Sequence, residues 1–190
     1  MLKNRKDREW VNDCSGFQRR AMKISEFCAE LDAQLGKLAP EERLGFAAKM
    51  LAKAFKVSED EVAIFSFDPR FEVLRFAWPA HLRSTGIIPL ASKSSLVART
   101  VKNRRGYIDN LFHKSAHTFI FEAVAAPQAK ANKPQPIQKI LSTPMMVDSA
   151  IAGVIQVSRK GATPQDAGPD FTQAELEALN QVALVVGKHL

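Results

Sequence analysis

The sequence predicts an α+β sandwich built around an antiparallel sheet. Three observations predict it. "ILSTPMMV" and "AIAGVIQV" are apolar runs split by Asp148 and Ser149, the polar break of a tight hairpin. "EVAIFSF" and "FEVLRFAW" form a second such pair around Asp68, Pro69 and Arg70, where proline pre-sets a turn dihedral. Amphipathic helical spacing brackets these strands at both ends of the chain.

In chain order, Ile24, Phe27, Cys28, Leu31, Leu35 and Leu38 mark an amphipathic helix closed near Gly36. Pro40, Glu41 and Glu42 open a second, because proline suits the first turn and acids there complement the helix dipole. After the first hairpin, "GIIPL" reads as a short strand. Ser94 or Ser95 caps a helix through "LVARTVKN", Arg105 and Gly106 end it, and "YID" is another strand. Residues 127–137, "PQAKANKPQPI", are too polar and proline-rich to offset ordering entropy. In the second hairpin Pro144 belongs near an edge or bulge, and Gly153 at a bulge or a close backbone approach. Thr172 and Glu175 make a capping box, Phe171 and Leu176 its hydrophobic staple, and Leu179, Val182, Ala183 and Val186 continue the apolar face. No internal repeat is present.

Composition narrows the function. A chain of 190 residues, 46% hydrophobic, can bury one domain's core. No apolar run reaches the roughly 18–20 residues that span a bilayer, and no secretory signal opens the chain. Two cysteines without C-x-x-C spacing fit a reducing cytoplasm. The net charge of +7 is scattered rather than grouped in a nucleic-acid motif, so a solvated basic surface is expected and nucleic acid is not. No Ser/His/Asp set, carboxylate pair or phosphate-cradling glycine loop appears, which argues against an enzyme.

Residues 40–190, in this order, resemble a GAF domain, the small-molecule sensor module of signalling proteins. "GIIPLASKSSLVARTVKNRRGYIDNL" is similar to the family's strand, helix and strand. "ILSTPMMVDSAIAGVIQVSRKG" is similar to its hairpin, with Pro144 and Gly153 in place, and "FTQAELEALNQVALVV" to its closing helix. The resemblance implies a GAF-like antiparallel sheet with the N- and C-terminal helices packed on one face and a ligand-pocket roof on the other; residues 1–39 are then a helical extension, and residues 110–137 a mobile lid over the pocket.

The resemblance implies a binding module rather than a catalyst, with no cofactor specified. The motif of cyclic-nucleotide-binding members is broken: Lys160 and Phe171 match, but Arg159 replaces an asparagine and Leu176 a glutamate, and a Lys160–Glu175 ion pair would be structural. Cys14 and Cys28 precede the pocket segments, so bilin attachment and thiol-based sulfoxide reduction both lack their cysteines. His113 and His117, four apart, would share a helical face, but no third metal ligand accompanies them.

The candidate ligand-binding residues are Trp78, His81, Phe112, His113 and His117, aromatic faces and imidazoles that suit a planar or weakly acidic molecule. Strand alternation sets Arg75 on the face opposite Trp78. The apolar stripes Ile24–Leu38 and Leu176–Val186 exceed what one small sheet can cover, which predicts a homodimer through the terminal helices. With Leu190 just past the last helix, output would pass to a separate effector protein, unless the chain is an excised piece of a longer one. The alternative is a scaffold whose pocket is collapsed and filled by side chains.

Overall fold

The computed structural model describes residues 24–114 and 135–190. Helix α1 covers 24–35 of these and ends where Gly36 N–H reaches the Asp32 carbonyl at 3.0 Å. Helix α2 (Pro40–Phe55) starts on its proline, with Glu41 and Glu42 in the first turn, and closes on Lys56 in the left-handed region. The chain then runs β1 (Val62–Asp68), β2 (Val73–Trp78), β3 (Ile87–Pro89), α3 (Leu96–Asn103), β4 (Tyr107–Asp109), β5 (Ile137–Val147), β6 (Ala150–Lys160) and α4 (Gln173–Gly187). The strands form one sheet in the order β3-β2-β1-β6-β5-β4, each neighbouring pair antiparallel. Among the described residues, no helix is long and apolar enough to cross a membrane.

The β5–β6 hairpin follows its sequence signals. Asp148 and Ser149 have φ of 45° and 64°, the paired positive values of a type I′ turn. Pro144 lies past the residues paired with β4 (Leu141 opposite Ile108, Ser142 opposite Tyr107), so the ladder needs no donor there. A bulge follows at once, between Met145 and Met146. A Cβ on Gly153 would stand 1.9 Å from the Phe65 carbonyl oxygen; glycine is what lets β1 lie against β6.

Three local details differ from expectation. Asp68 pairs with Val73, so the β1–β2 turn spans four residues and leaves Phe71, read as strand, 68% exposed. Helix α3 ends at Asn103 with Arg104 left-handed, one residue before the expected stop, while Ser95 supplies the N-cap by accepting the Ala98 N–H. The third is a bulge in β2 whose consequence appears below. On α4 the capping box forms in both directions between Thr172 and Glu175.

Two layers of side chains cover the sheet. On one face α1, α2 and α4 bury Leu31, Leu35, Leu51, Leu179 and Val182 against Ile64, Leu141 and Ile155. On the other, Val97 and Val101 of α3 meet Ala63, Phe65, Leu74 and Val154. The stripes of α1 and α4 thus pack largely within the chain. The surplus that predicted a homodimer shrinks to half-buried Ile24 and Phe27 and exposed Leu184.

Candidate functional site

The central strands present different chemistry to their two faces. Toward the three helices, β5 and β6 turn Leu141, Met145, Ile155 and Val157, all fully buried. Toward α3 they turn Ile140, Ser142, Val154 and Gln156, by the alternation of the strand. Ser142 and Gln156 face each other across the ladder, and Gln156 Nε2 donates to Ser142 Oγ at 3.2 Å. Thr100 of α3 sets its hydroxyl 2.7 Å from Ser142 Oγ and also bonds the Leu96 carbonyl. Thr100 and Ser142 are fully buried and Gln156 nearly so. A buried hydroxyl or amide costs free energy unless it is hydrogen-bonded, and here the three satisfy one another.

At the β4–β5 end of the same face, Leu96, Phe112, Ile137 and Ile140 form a small apolar cluster with Tyr107 against it. Among the described residues three buried side-chain atoms have no hydrogen-bond partner: Gln138 Oε1, on the residue after Ile137, His113 Nδ1, on the residue after Phe112, and Trp78 Nε1, at the margin of the helix-face core. Gln138 is 4% exposed and spends its amide N–H on the Gly161 carbonyl at 2.8 Å, which leaves its oxygen free. An orphaned buried polar group costs about 1–3 kcal/mol and calls for an explanation.

The sequence-predicted residues separate. Phe112 is buried in this cluster and His113 is next to it, on a single 3-10 turn (Phe112–Lys114). His81 is half-buried on another such turn after β2, and β1 and β6 lie between β2 and β5. Trp78 goes to the helix face. Ile64 pairs with Trp78 but Phe65 with Phe76, so β2 carries an extra residue at Ala77. Such a bulge flips every side chain beyond it. Trp78 therefore packs over α2, where a Cβ on Gly45 would meet its ring at 3.2 Å. The same bulge overturns the expected opposition of Arg75 and Trp78: both are on the helix side. His117 lies outside the described residues, as do Cys14 and most of the expected lid.

Other expectations resolve into structural contacts. Glu175 pairs with Arg159 at 2.9 Å rather than with Lys160, which reaches Asp60 at 3.1 Å. The Arg159 guanidinium also stacks 4.0 Å from the Phe171 ring centroid and donates to the Pro169 carbonyl. This arrangement locks β6 to the start of α4. Cys28 is half-buried against the helix-face core, and burial pushes its thiol up. No group of three or more metal-ligating side chains occurs among the described residues. On the outside of the helix layer a groove of about 490 Å³ runs between Ile24, Phe27, Phe55, Ala178 and Val182.

Ser142, Gln156, Thr100 and Gln138 escaped the reading of the sequence. The signal was present: in "QKILST" and "IQVS" polar residues recur on one face of strands whose other face is apolar.

No protein-family model and no curated protein matches the sequence. Solved structures do match. The GAF domain of an Acinetobacter phosphoenolpyruvate-protein phosphotransferase is 14% identical over 88% of this chain and 92% of its own, with a TM-score of 0.64. A free methionine-R-sulfoxide reductase from Neisseria meningitidis, solved with its substrate, is 14% identical over 90% and 89%, at 0.60. Residues 122 to 287 of a methyl-accepting chemotaxis protein are 14% identical over 84% and 93%, at 0.58. At such identities the likeness is one of fold.

Proposed function

From the premise that the chain has the GAF-domain fold, we propose a non-catalytic sensory module that binds a small molecule on the α3 face and signals through its terminal helices. The observation that carries this reading is a pair of buried polar atoms unpartnered among the described residues, Gln138 Oε1 and His113 Nδ1, on the residues that follow Ile137 and Phe112 of the apolar cluster. A ligand offering an N–H or O–H to that oxygen and a flat apolar surface to Phe112 would satisfy both. Sulfoxide reduction is the less favoured chemistry: Cys28, the one described cysteine, sits on the helix face with its thiol disfavoured as thiolate.

The scaffold alternative has its own support, the Thr100–Ser142 bond that seats α3 directly on the sheet. Mass spectrometry of protein purified under native conditions, with a thermal-shift screen of metabolites, separates the two. A co-purifying mass or a stabilising compound that Gln138→Leu no longer responds to supports the sensor. Silence across the screen, with unchanged stability in Gln138→Leu, supports the scaffold.

The same reading includes a homodimer through α1 and α4, with a second copy seated on the groove at Ile24, Phe27 and Ala178. Light scattering should report a dimer that Phe27→Asp converts to monomer. A monomer at every concentration of the wild-type protein would remove this part.

A further inference from the structure

The outer end of α3 carries a cation group that the sensory reading does not use. Arg99, Lys102, Arg104 and Arg105 are all exposed, and among the described residues none of them pairs with a carboxylate. A helix C-terminus attracts cations, which accounts for Lys102 and Arg104. It does not account for Arg99, midway along the helix, or for Arg105, beyond it. Both turn to one ring: their guanidinium carbons stand 4.8 and 5.0 Å from the centroid of Tyr107. Two like charges so placed repel each other, and no protein anion relieves them.

The phenol is prepared in the same sense. Asn103 Nδ2 and Arg105 Nε both donate to Tyr107 Oη, so the phenol's own O–H is left for an acceptor from outside. Arg99, Lys102 and Arg105 can only donate, and the Tyr107 O–H adds one donor more. Two guanidinium forks, a phenol O–H and a nearby ammonium offer more donors than the two oxygens of a carboxylate can take. They match three terminal phosphate oxygens carrying a double charge.

We propose that Arg99, Arg105 and Tyr107 form a binding site for a phosphate monoester dianion at the outer end of α3. The inner side of the Tyr107 ring packs on the Phe112 cluster, so occupancy would be felt at the α3 face even though the site is separate from it. Burial pushes the Tyr107 phenol up, but the hydrogen bonds from Asn103 and Arg105 and the charges of Arg105 and Arg99 outweigh it and hold the phenol below its ordinary range. A bound dianion would reverse that field.

Tyr107 is the only tyrosine in the chain, so phenolate absorbance during a pH titration reports this one group. With inorganic phosphate, at ionic strength matched by chloride, the midpoint should rise saturably by about half a pH unit. Arg99→Gln and Arg105→Gln should each lose the phosphate-dependent part, whereas Lys37→Gln keeps it. A midpoint that moves no further in phosphate than in chloride, or as far in acetate, overturns the proposal. A sugar phosphate and a phosphoserine peptide then separate the sources of the group: the one acting at lower concentration identifies a metabolite or a modified protein, and inactivity of both overturns it. Because the wild-type titration decides the matter, a variant that fails to fold leaves the test intact.

Discussion

The two faces of this sheet are built from the same strands and answer to different demands. The helix face buries Leu141, Met145, Ile155 and Val157 under three helices, with Trp78 at its margin, its Nε1 unpartnered among the described residues. The α3 face buries Thr100, Ser142 and Gln156 among smaller apolar neighbours. Apolar burial contributes roughly 25 cal/mol per Å² with no geometric condition, whereas a buried hydroxyl or amide at best recovers what it lost in leaving water. A sheet selected for stability alone would line both faces as those four apolar residues line the first. The second face gives up stability, and that loss is where a function is to be sought.

The most damaging change should strike the backbone both faces share. Gly153→Ala drives a Cβ to 1.9 Å from the Phe65 carbonyl oxygen, in the middle of the β1–β6 pairing. Backbone cannot step aside as a side-chain tip can. We expect a loss above about 4 kcal/mol, the extreme tail for single substitutions, or no folded protein at all. A normal two-state melt from this variant would mean that β1 does not lie where the structure has it.

Next come two adjacent residues on opposite faces. Leu141→Ala removes a fully buried side chain from the helix-face core and should cost about 2–5 kcal/mol. Ser142→Ala leaves Gln156 Nε2 without its acceptor but keeps the Thr100 bond to the Leu96 carbonyl, for about 1–2 kcal/mol. Urea unfolding of both variants measures the contrast directly. Equal losses would erase the distinction between the faces.

Replacing the polar partners together sharpens it further. In Ser142→Val with Gln156→Leu no orphan remains between the strands, so the pair should be near neutral, within about 1 kcal/mol of wild type. A large destabilisation would show the polar pair to be structural, and would favour the scaffold reading.

How much of this was legible in the sequence divides along the same line. Turn and cap chemistry is local, so Asp148-Ser149, Ser95, Pro40 and the Thr172–Glu175 box could be read from a few adjacent residues. The helix face was legible because its periodicity is clean. Trp78 was misplaced because one extra residue at Ala77 inverts the alternation, and nothing in "RFAWP" announces a bulge. The Ser142–Gln156–Thr100 contacts join residues 42 and 14 positions apart, through a register that only strand pairing fixes. Histidines and tryptophan attracted the site assignment because their chemistry is conspicuous, while two serine and glutamine positions in a strand look like solvent-facing filler until the sheet is seen to be covered.

The smallest effect should come from the one charged contact that ties the ends of the helix layer together. His189 Nε2 stands 2.7 Å from Asp32 Oδ1, linking the second residue past α4 to the last turns of α1. The hydrogen bond from His189 holds the Asp32 carboxyl below its usual range against the opposing pull of burial, and the charges of Lys188 and His189 add to it. A carboxylate whose folded pKa is depressed stabilises above its unfolded value and loses that contribution as the pH falls through the folded one. The contact should therefore hold fully above about pH 5 and drain away below about pH 4. Asp32 is 45% exposed, so solvent screens the pair and its whole contribution should stay under about 1 kcal/mol. His189→Ala should flatten that part of the acid limb in urea titrations at successive pH values, and salt should flatten it in the wild-type protein. An acid dependence several times larger would mean that charge, rather than the apolar burial of Leu31, Leu35, Leu179 and Val182, holds α1 against α4. The proposed signal path through the terminal helices would then respond to pH before it responded to any ligand.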